Sequence, residues 1–338
     1  MVTPGNAPVQ AIACLEKQED PFIFSTDLIE RLQLLNFARE VLGLALRLMP
    51  IPQLPSGPGR PDVYPDEVIL VTIMVMTIWQ LSPRGMVRRL RRWSALAQAC
   101  GYDPLPVISA SQLYRRRERL GLWAYFVTFC ALVWRLIGLG IITGEDIILD
   151  STVIEAFSLK DLEAAWHYTK RYGYKIHMLI CRRALLPIMF LITPANRNDA
   201  PWAIPLLEMA RRCFAFSVRV VRADAAYFTQ HILVYIRTVL QAQPVIDFNP
   251  RKRGKKWLAT LDFIAYWREA RGKRGYIERF FALLKRYFGL NEWQLLGLKN
   301  AWRHTFETCF AVLIVAWLAV EIGRPDLMHS KSRLLAPC

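Results

Sequence analysis

The sequence predicts an α/β protein: a mixed sheet flanked by helices, preceded by a mainly helical amino-terminal region. From Asp146 three apolar, β-branched stretches follow one another, DIILDSTVIEAF, YGYKIHMLIC and LLPIMFLIT. Runs of that length, apolar on both faces, are what strands covered on both sides look like. After them SVRVVRAD and PVIDF alternate with helical stretches that begin at Asp199, Thr229 and Arg271. Before them, Leu and Ile recur at helical intervals.

A chain of 338 residues, 54% of them hydrophobic, supports about two domains with a substantial core. Residues 1–60 read as a tail, a helix over Asp27 to Met49 and a linker, IPQLPSGPGRPDVYP, whose Pro and Gly break any helix. Residues 61–143 read as a helical region that opens with Asp66 and Glu67, acidic residues well placed at a helix start. Residues 144–325 hold the α/β unit, and 326–338 a carboxyl-terminal tail.

The formal net charge of +16 points first to nucleic acid and second to an anionic membrane surface. The apolar runs Val68 to Trp79 and Phe310 to Val320 fall short of the roughly 20 residues of a span and read as helices buried in protein. No secretory signal opens the chain, which is expected to stay in the cytosol. Seven scattered cysteines, without a CxxC pair, argue for reduced thiols and against a zinc site. His177, inside an apolar run, reads as a core residue. GxxxxGK[ST] and GxSxG are both missing, which removes P-loop and serine-hydrolase chemistry.

Basic residues gather in three places. Arg84, Arg88, Arg89, Arg91 and Arg92 lie in PRGMVRRLRRW, and Arg115, Arg116, Arg117 and Arg119 in SASQLYRRRERLG. These two helices fit either phosphate contact by a DNA-binding module or solvated arginine faces, with no spacing that supports base readout. The loop after PVIDF carries Arg251, Lys252, Arg253, Lys255 and Lys256 beside Trp257, a composition suited to DNA.

Three carboxylates carry the functional reading. Asp150 interrupts the first strand among apolar neighbours, where an unpaired charge costs several kcal/mol. Asp224 follows SVRVV at the carboxyl end of a strand, the place where open α/β sheets put ligand sites. Glu278 lies on RGKRGYIERFFALLKRYFG, where helical geometry sets it with Arg274 and Lys285 in a stripe about 40° wide, opposite Ile277, Phe280, Phe281, Leu284 and Phe288. Alone, Arg274 and Glu278 make an ordinary i,i+4 ion pair. Converging, the three carboxylates suit a hard divalent cation such as Mg²⁺ and displacement at phosphorus.

These motifs resemble the DDE transposases of bacterial insertion sequences, in the group with a Tyr-Arg-Glu-Lys signature. LDSTVIEA, GYKIHML, TPANRNDAPWAIPLLE, RADAAYF and RGYIERFFALLKRYF carry the likeness, from about Asp66 to Gly323. Arg274, Glu278 and Lys285 fall on the signature, whereas Arg271 stands where the group has Tyr, and Ala226 where a Gly is frequent. The resemblance implies an RNase H-like catalytic domain in which Asp150, Asp224 and Glu278 hold Mg²⁺, with Mn²⁺ as a substitute, and Arg271, Arg274 and Lys285 contact phosphate. It implies cleavage at the element's terminal inverted repeats, attack of the freed 3′ hydroxyl on target DNA, and a dimer or larger assembly at the bacterial nucleoid. A stand-alone nuclease of the same fold and a catalytically inactive DNA-binding derivative are the rival readings.

Overall fold

The computed structural model describes residues 39, 63–215, 217–246, 275–294 and 296–331. The helix expected over 27–49, the linker and the basic loop with Arg251, Lys252, Arg253, Lys255, Lys256, Arg271 and Arg274 lie outside the described residues.

Five helices open the described chain: α1 (Asp66–Ile78), α2 (Pro83–Arg92), α3 (Ser94–Cys100), α4 (Ala110–Arg119) and α5 (Gly121–Gly138). Their starts follow local chemistry. Ser82 caps α2 by accepting from the Gly85 amide, and Ser109 closes a capping box with Gln112 on α4. The sheet strands are β1 (Asp146–Glu155), β2 (Ala165–Trp166), β3 (Tyr172–Cys181), β4 (Leu186–Pro194), β5 (Val220–Ala223) and β6 (Gln243–Ile246). Helix α6 (Ala200–Cys213) joins β4 to β5, α7 (Gln230–Thr238) joins β5 to β6, and α8 (Gly275–Tyr287) and α9 (Leu298–Glu321) follow.

The sheet order is β2-β3-β1-β5-β6, with β4 also paired to β3. β1, β3 and β4 are antiparallel, as hairpin-linked strands are, whereas β5 and β6 run parallel to β1 because helices carry the crossovers. This is the mixed sheet flanked by helices that the sequence predicts, and β1 sits at its centre. Strands β1 and β3 are apolar on both faces because helices cover both. On one face Phe190 of β4 meets Phe129 of α5 at 5.4 Å and Phe306 of α9 at 4.6 Å between ring centroids. On the other, α6 packs on β3 and β4.

Helix α9 ties the halves of the chain together. It packs on α1, α5 and β4 at once, so the helical region and the sheet share one core across the 143/144 boundary. The apolar run Phe310–Val320 is therefore part of a 24-residue helix, not a short one. Among the described residues α5 and α9 are both long and apolar enough to cross a membrane, but 83% of the α9 window is buried inside the protein. Helix α5, whose sequence GLWAYFVTFCALVWRLIG is apolar nearly all round, has no counterpart among the sequence expectations.

Candidate active site

The parallel ladder between β1 and β5 ends at the pair Leu149 and Ala223. The next residues along the two strands are Asp150 and Asp224, so register alone sets the two carboxylates on neighbouring strands, about 5 Å apart in backbone spacing. Both are half-buried. Asp150 Oδ1 accepts from the Ser151 amide at 2.7 Å. Asp224 caps the short 3₁₀ turn Ala225–Tyr227, its Oδ1 accepting from the Ala226 amide at 2.8 Å. Each side chain is thus oriented by the backbone that follows it, as a ligand needs to be.

The 3₁₀ turn carries Tyr227, 1% exposed. Burial pushes its phenol well above the usual tyrosine range, and the carboxylates of Asp199, Asp150 and Asp224 add to the effect. Asp199, at the start of α6, is held from below by buried Lys175, whose Nζ lies 3.1 Å from Asp199 Oδ1 and donates to the Arg197 carbonyl at 2.8 Å. His177, fully buried, lies 3.5 Å from Asp199 through Nδ1 and 3.1 Å from Thr193 Oγ1 through Nε2. Burial lowers its pKa to about 4, against the pull of Asp199. Tyr227, Lys175 and Asp199 were not expected from the sequence to belong to the site. The available signal was Lys175 and His177, two polar residues alternating on one face of the otherwise apolar β3.

Helix α8 runs along β1. Near its start the Tyr276 ring lies 5.6 Å from the Arg182 guanidinium, and Arg182 is bound at 2.8 Å to Asp146, the first residue of β1. Near its end Lys285 Nζ donates to the Val153 carbonyl at 2.8 Å. Glu278 lies seven residues before Lys285, about 10 Å along a helix, and Asp150 three residues before Val153, also about 10 Å along a strand. Glu278 therefore sits near the level of Asp150, on an exposed position of α8, while Ile277, Phe280, Phe281, Leu284 and Phe288 are buried, as the helical stripe requires. Among the described residues no three His, Cys, Asp or Glu side chains gather closely enough to hold a metal ion. Register sets Asp150 and Asp224 on neighbouring strands, and Glu278 forms no such group with them.

The basic residues divide. Arg88 and Arg115 are exposed, and Arg89 is half-buried with its guanidinium 4.9 Å from the Trp79 ring and 5.3 Å from that of Trp93. Arg116 is turned inward, its side chain 11% exposed, paired with Asp66 and donating to the Tyr64 carbonyl at 2.9 Å. It serves the fold, because the helix face that carries it packs against the start of α1. Lys285 is also engaged, and burial lowers its pKa, with Arg171 adding to the effect. The clefts of about 570 Å³ and 420 Å³ lie at the opposite end of β5 from Asp224, lined among others by Val218, Arg219 and Gln241.

The family model described as "Transposase DDE domain" matches residues 143–314, half of the chain and the whole of this sheet. The chain belongs to the DDE transposase family. A putative transposase for insertion sequence element IS6501 of Brucella ovis is 34% identical over 102 residues, 30% of this chain and 68% of that protein. The cryo-EM structure of the piggyBac transposase synaptic complex with hairpin DNA superposes with a TM-score of 0.43 at 11% identity, over 90% of this chain and 82% of that one. As a DDE transposase the protein is a polynucleotidyl transferase and endonuclease that depends on a divalent metal cation.

Proposed function

We propose that this transposase cuts the ends of its own insertion sequence and joins the freed 3′ hydroxyl to target DNA, with Asp150, Asp224 and Glu278 as the metal-holding residues. The observation that carries the reading is the register of β1 on β5, which brings Asp150 and Asp224 side by side at the carboxyl ends of two parallel strands. A set of hard carboxylate oxygens with water access fits Mg²⁺, and Mn²⁺ in its place. When bound, a divalent ion activates the attacking oxygen and stabilises the leaving one at phosphorus.

The chain's own residues do the rest. The Ser151 and Ala226 amides hold the two aspartates in orientation. Buried Tyr227 lies close enough to both for their charges to act on its phenol. Glu278 completes the set when helix α8 shifts on the DNA, a shift that also frees Lys285 from the Val153 carbonyl for phosphate. Exposed Arg88 and Arg115, with Arg89 at the edge, contact the DNA backbone of the terminal repeats. Arg271, Arg274, Arg251, Lys252, Arg253, Lys255 and Lys256 are proposed phosphate contacts from the neighbouring segment. Paired ends require a homodimer or larger assembly, acting at the nucleoid in the bacterial cytoplasm.

A strand-transfer assay with end DNA, target DNA and Mg²⁺ tests the reading. Wild type should nick and join, and Glu278→Gln should do neither while binding end DNA as before. Cleavage without joining would leave a nuclease, and binding without cleavage in either Mg²⁺ or Mn²⁺ would leave a DNA-binding derivative.

A further inference from the structure

Between β1 and β3, residues 156–171 include only the two-residue edge strand β2 and expose a run of large apolar side chains. Phe157, Leu159, Leu162, Trp166 and Tyr168 are 58, 71, 97, 58 and 88% exposed. Singly scattered exposed hydrophobics need no explanation, but several within one short segment point to an interaction site.

The segment is rigidly built. Asp161, 2% exposed, accepts from the Tyr174 hydroxyl at 2.8 Å and from the Gly297 amide at 2.9 Å, while its carbonyl accepts from the Tyr172 hydroxyl at 2.6 Å. Glu163 accepts from the Leu298 amide at 2.9 Å, fixing the segment to the start of α9. Trp166 rests 5.2 Å from the Tyr172 ring, and Tyr168 4.0 Å from the His167 ring, between centroids. Asp161 and Glu163 thus anchor the middle of the segment, while Trp166 and Tyr168 stay exposed.

Cations lie near them in the sequence. Lys160, Lys170 and Arg171 of the segment are exposed, as is Lys299 beside its anchor. Glu155 offsets Arg171 at 3.8 Å. The strand that carries Asp150 runs directly into this segment, and Arg171 lies close enough to Lys285 of α8 to lower its pKa. The segment is thus continuous in the chain with the strand that carries Asp150.

We propose that Trp166 and Tyr168, framed by Lys160, Lys170 and Arg171, form a stacking platform for unpaired bases of the single DNA strand bared beside the cut. The proposal rests on the transposase reading of the carboxylates. Aromatic faces stack on any base and nearby cations hold the phosphates, which is the chemistry of single-strand binding. A second copy of the chain fits less well, because a two-fold contact would set Lys160, Lys170 and Arg171 against their own copies.

The full-length protein is titrated by fluorescence anisotropy with labelled oligothymidine and with a duplex of equal length, and end cleavage and sedimentation are followed in parallel. In the Trp166→Ala, Tyr168→Ala double variant, affinity for the single strand should fall about tenfold or more while duplex affinity stays within about twofold. The Trp166→Phe, Tyr168→Phe variant should keep single-strand binding, which separates stacking from misfolding. Unchanged single-strand binding in the alanine variant overturns the proposal, as does an equal loss on both DNAs. Conversion of a dimer to a monomer would overturn it too, identifying the patch as an interface between copies. Wild type that binds the single strand as expected but never cuts end DNA would sink the transposase reading and leave the platform standing.

Discussion

The carboxyl end of the sheet and the helical shell around it treat charge in opposite ways. In the shell, acids and bases from distant positions are matched across the core: Arg117 with Glu307, Arg303 with Glu118, and Arg116 with Asp66. The Arg117 pair is reinforced by the Tyr125 hydroxyl, which donates to Glu307 at 3.1 Å. At the sheet end the acids share a neighbourhood instead: Asp199, Asp150 and Asp224 all act on the buried phenol of Tyr227, and Asp199 is paired with Lys175. Matched pairs hold a fold. Carboxylates gathered at strand ends suit a bound cation.

That difference predicts opposite outcomes for carboxylate removal. Asp224→Asn should lower end cleavage by at least about a thousandfold, because the hard ligand is lost. Its thermal midpoint should change little, since asparagine keeps a side-chain oxygen to accept from the Ala226 amide. Cleavage assays beside calorimetry check both halves, and a large drop in midpoint would show that Asp224 serves the fold. Glu307→Ala should do the reverse. It strands Arg117 in the core at a cost of about 3–5 kcal/mol, visible in denaturant titration. Cleavage per folded molecule should stay unchanged. If activity fell with stability intact, the shell would be part of the site.

His177 offers a test between the two regions, because it is buried under the sheet end yet bound to no matched acid of the shell. Its pKa is lowered from 6.5 to about 4, mainly by burial. The folded state therefore keeps the ring neutral where the unfolded chain protonates it. Stability is complete above pH 6.5 and falls as pH drops toward 4, by no more than roughly 3 kcal/mol. His177→Gln should flatten that slope in denaturant titrations across the window. A slope that persists unchanged would assign it to other groups.

The strands were legible because burial on both faces writes long apolar runs, and Asp150 stood out by interrupting one. Helix α5 was not, since GLWAYFVTFCALVWRLIG is apolar nearly all round and offers no stripe to read. The expected stripe of α8 holds in its apolar half, with Phe280 and Leu284 buried. Its polar half is another matter, because what Glu278 faces depends on how far the helix slides along β1, and Lys285 settles that by bonding to a backbone carbonyl no sequence pattern marks. Direction of an arginine is equally invisible. Arg115 and Arg116 are adjacent in sequence and equivalent in type, and their difference is made by Asp66, fifty positions away.

That adjacent pair gives the smallest and most selective effect. If outward arginines hold phosphate and inward ones hold the shell, Arg115→Ala should reduce the dependence of DNA affinity on log salt concentration by about one unit with no change in stability. Arg116→Ala should leave the salt dependence as it is and lower stability by up to about 1 kcal/mol, because its partner Asp66 is partly exposed and water screens the pair. Salt titrations of duplex binding, read beside denaturant midpoints, separate the two. Equal salt slopes for both variants would mean that α4 does not touch DNA. The phosphate contacts would then fall to α2, where Arg88 is exposed, and to the other cations proposed above.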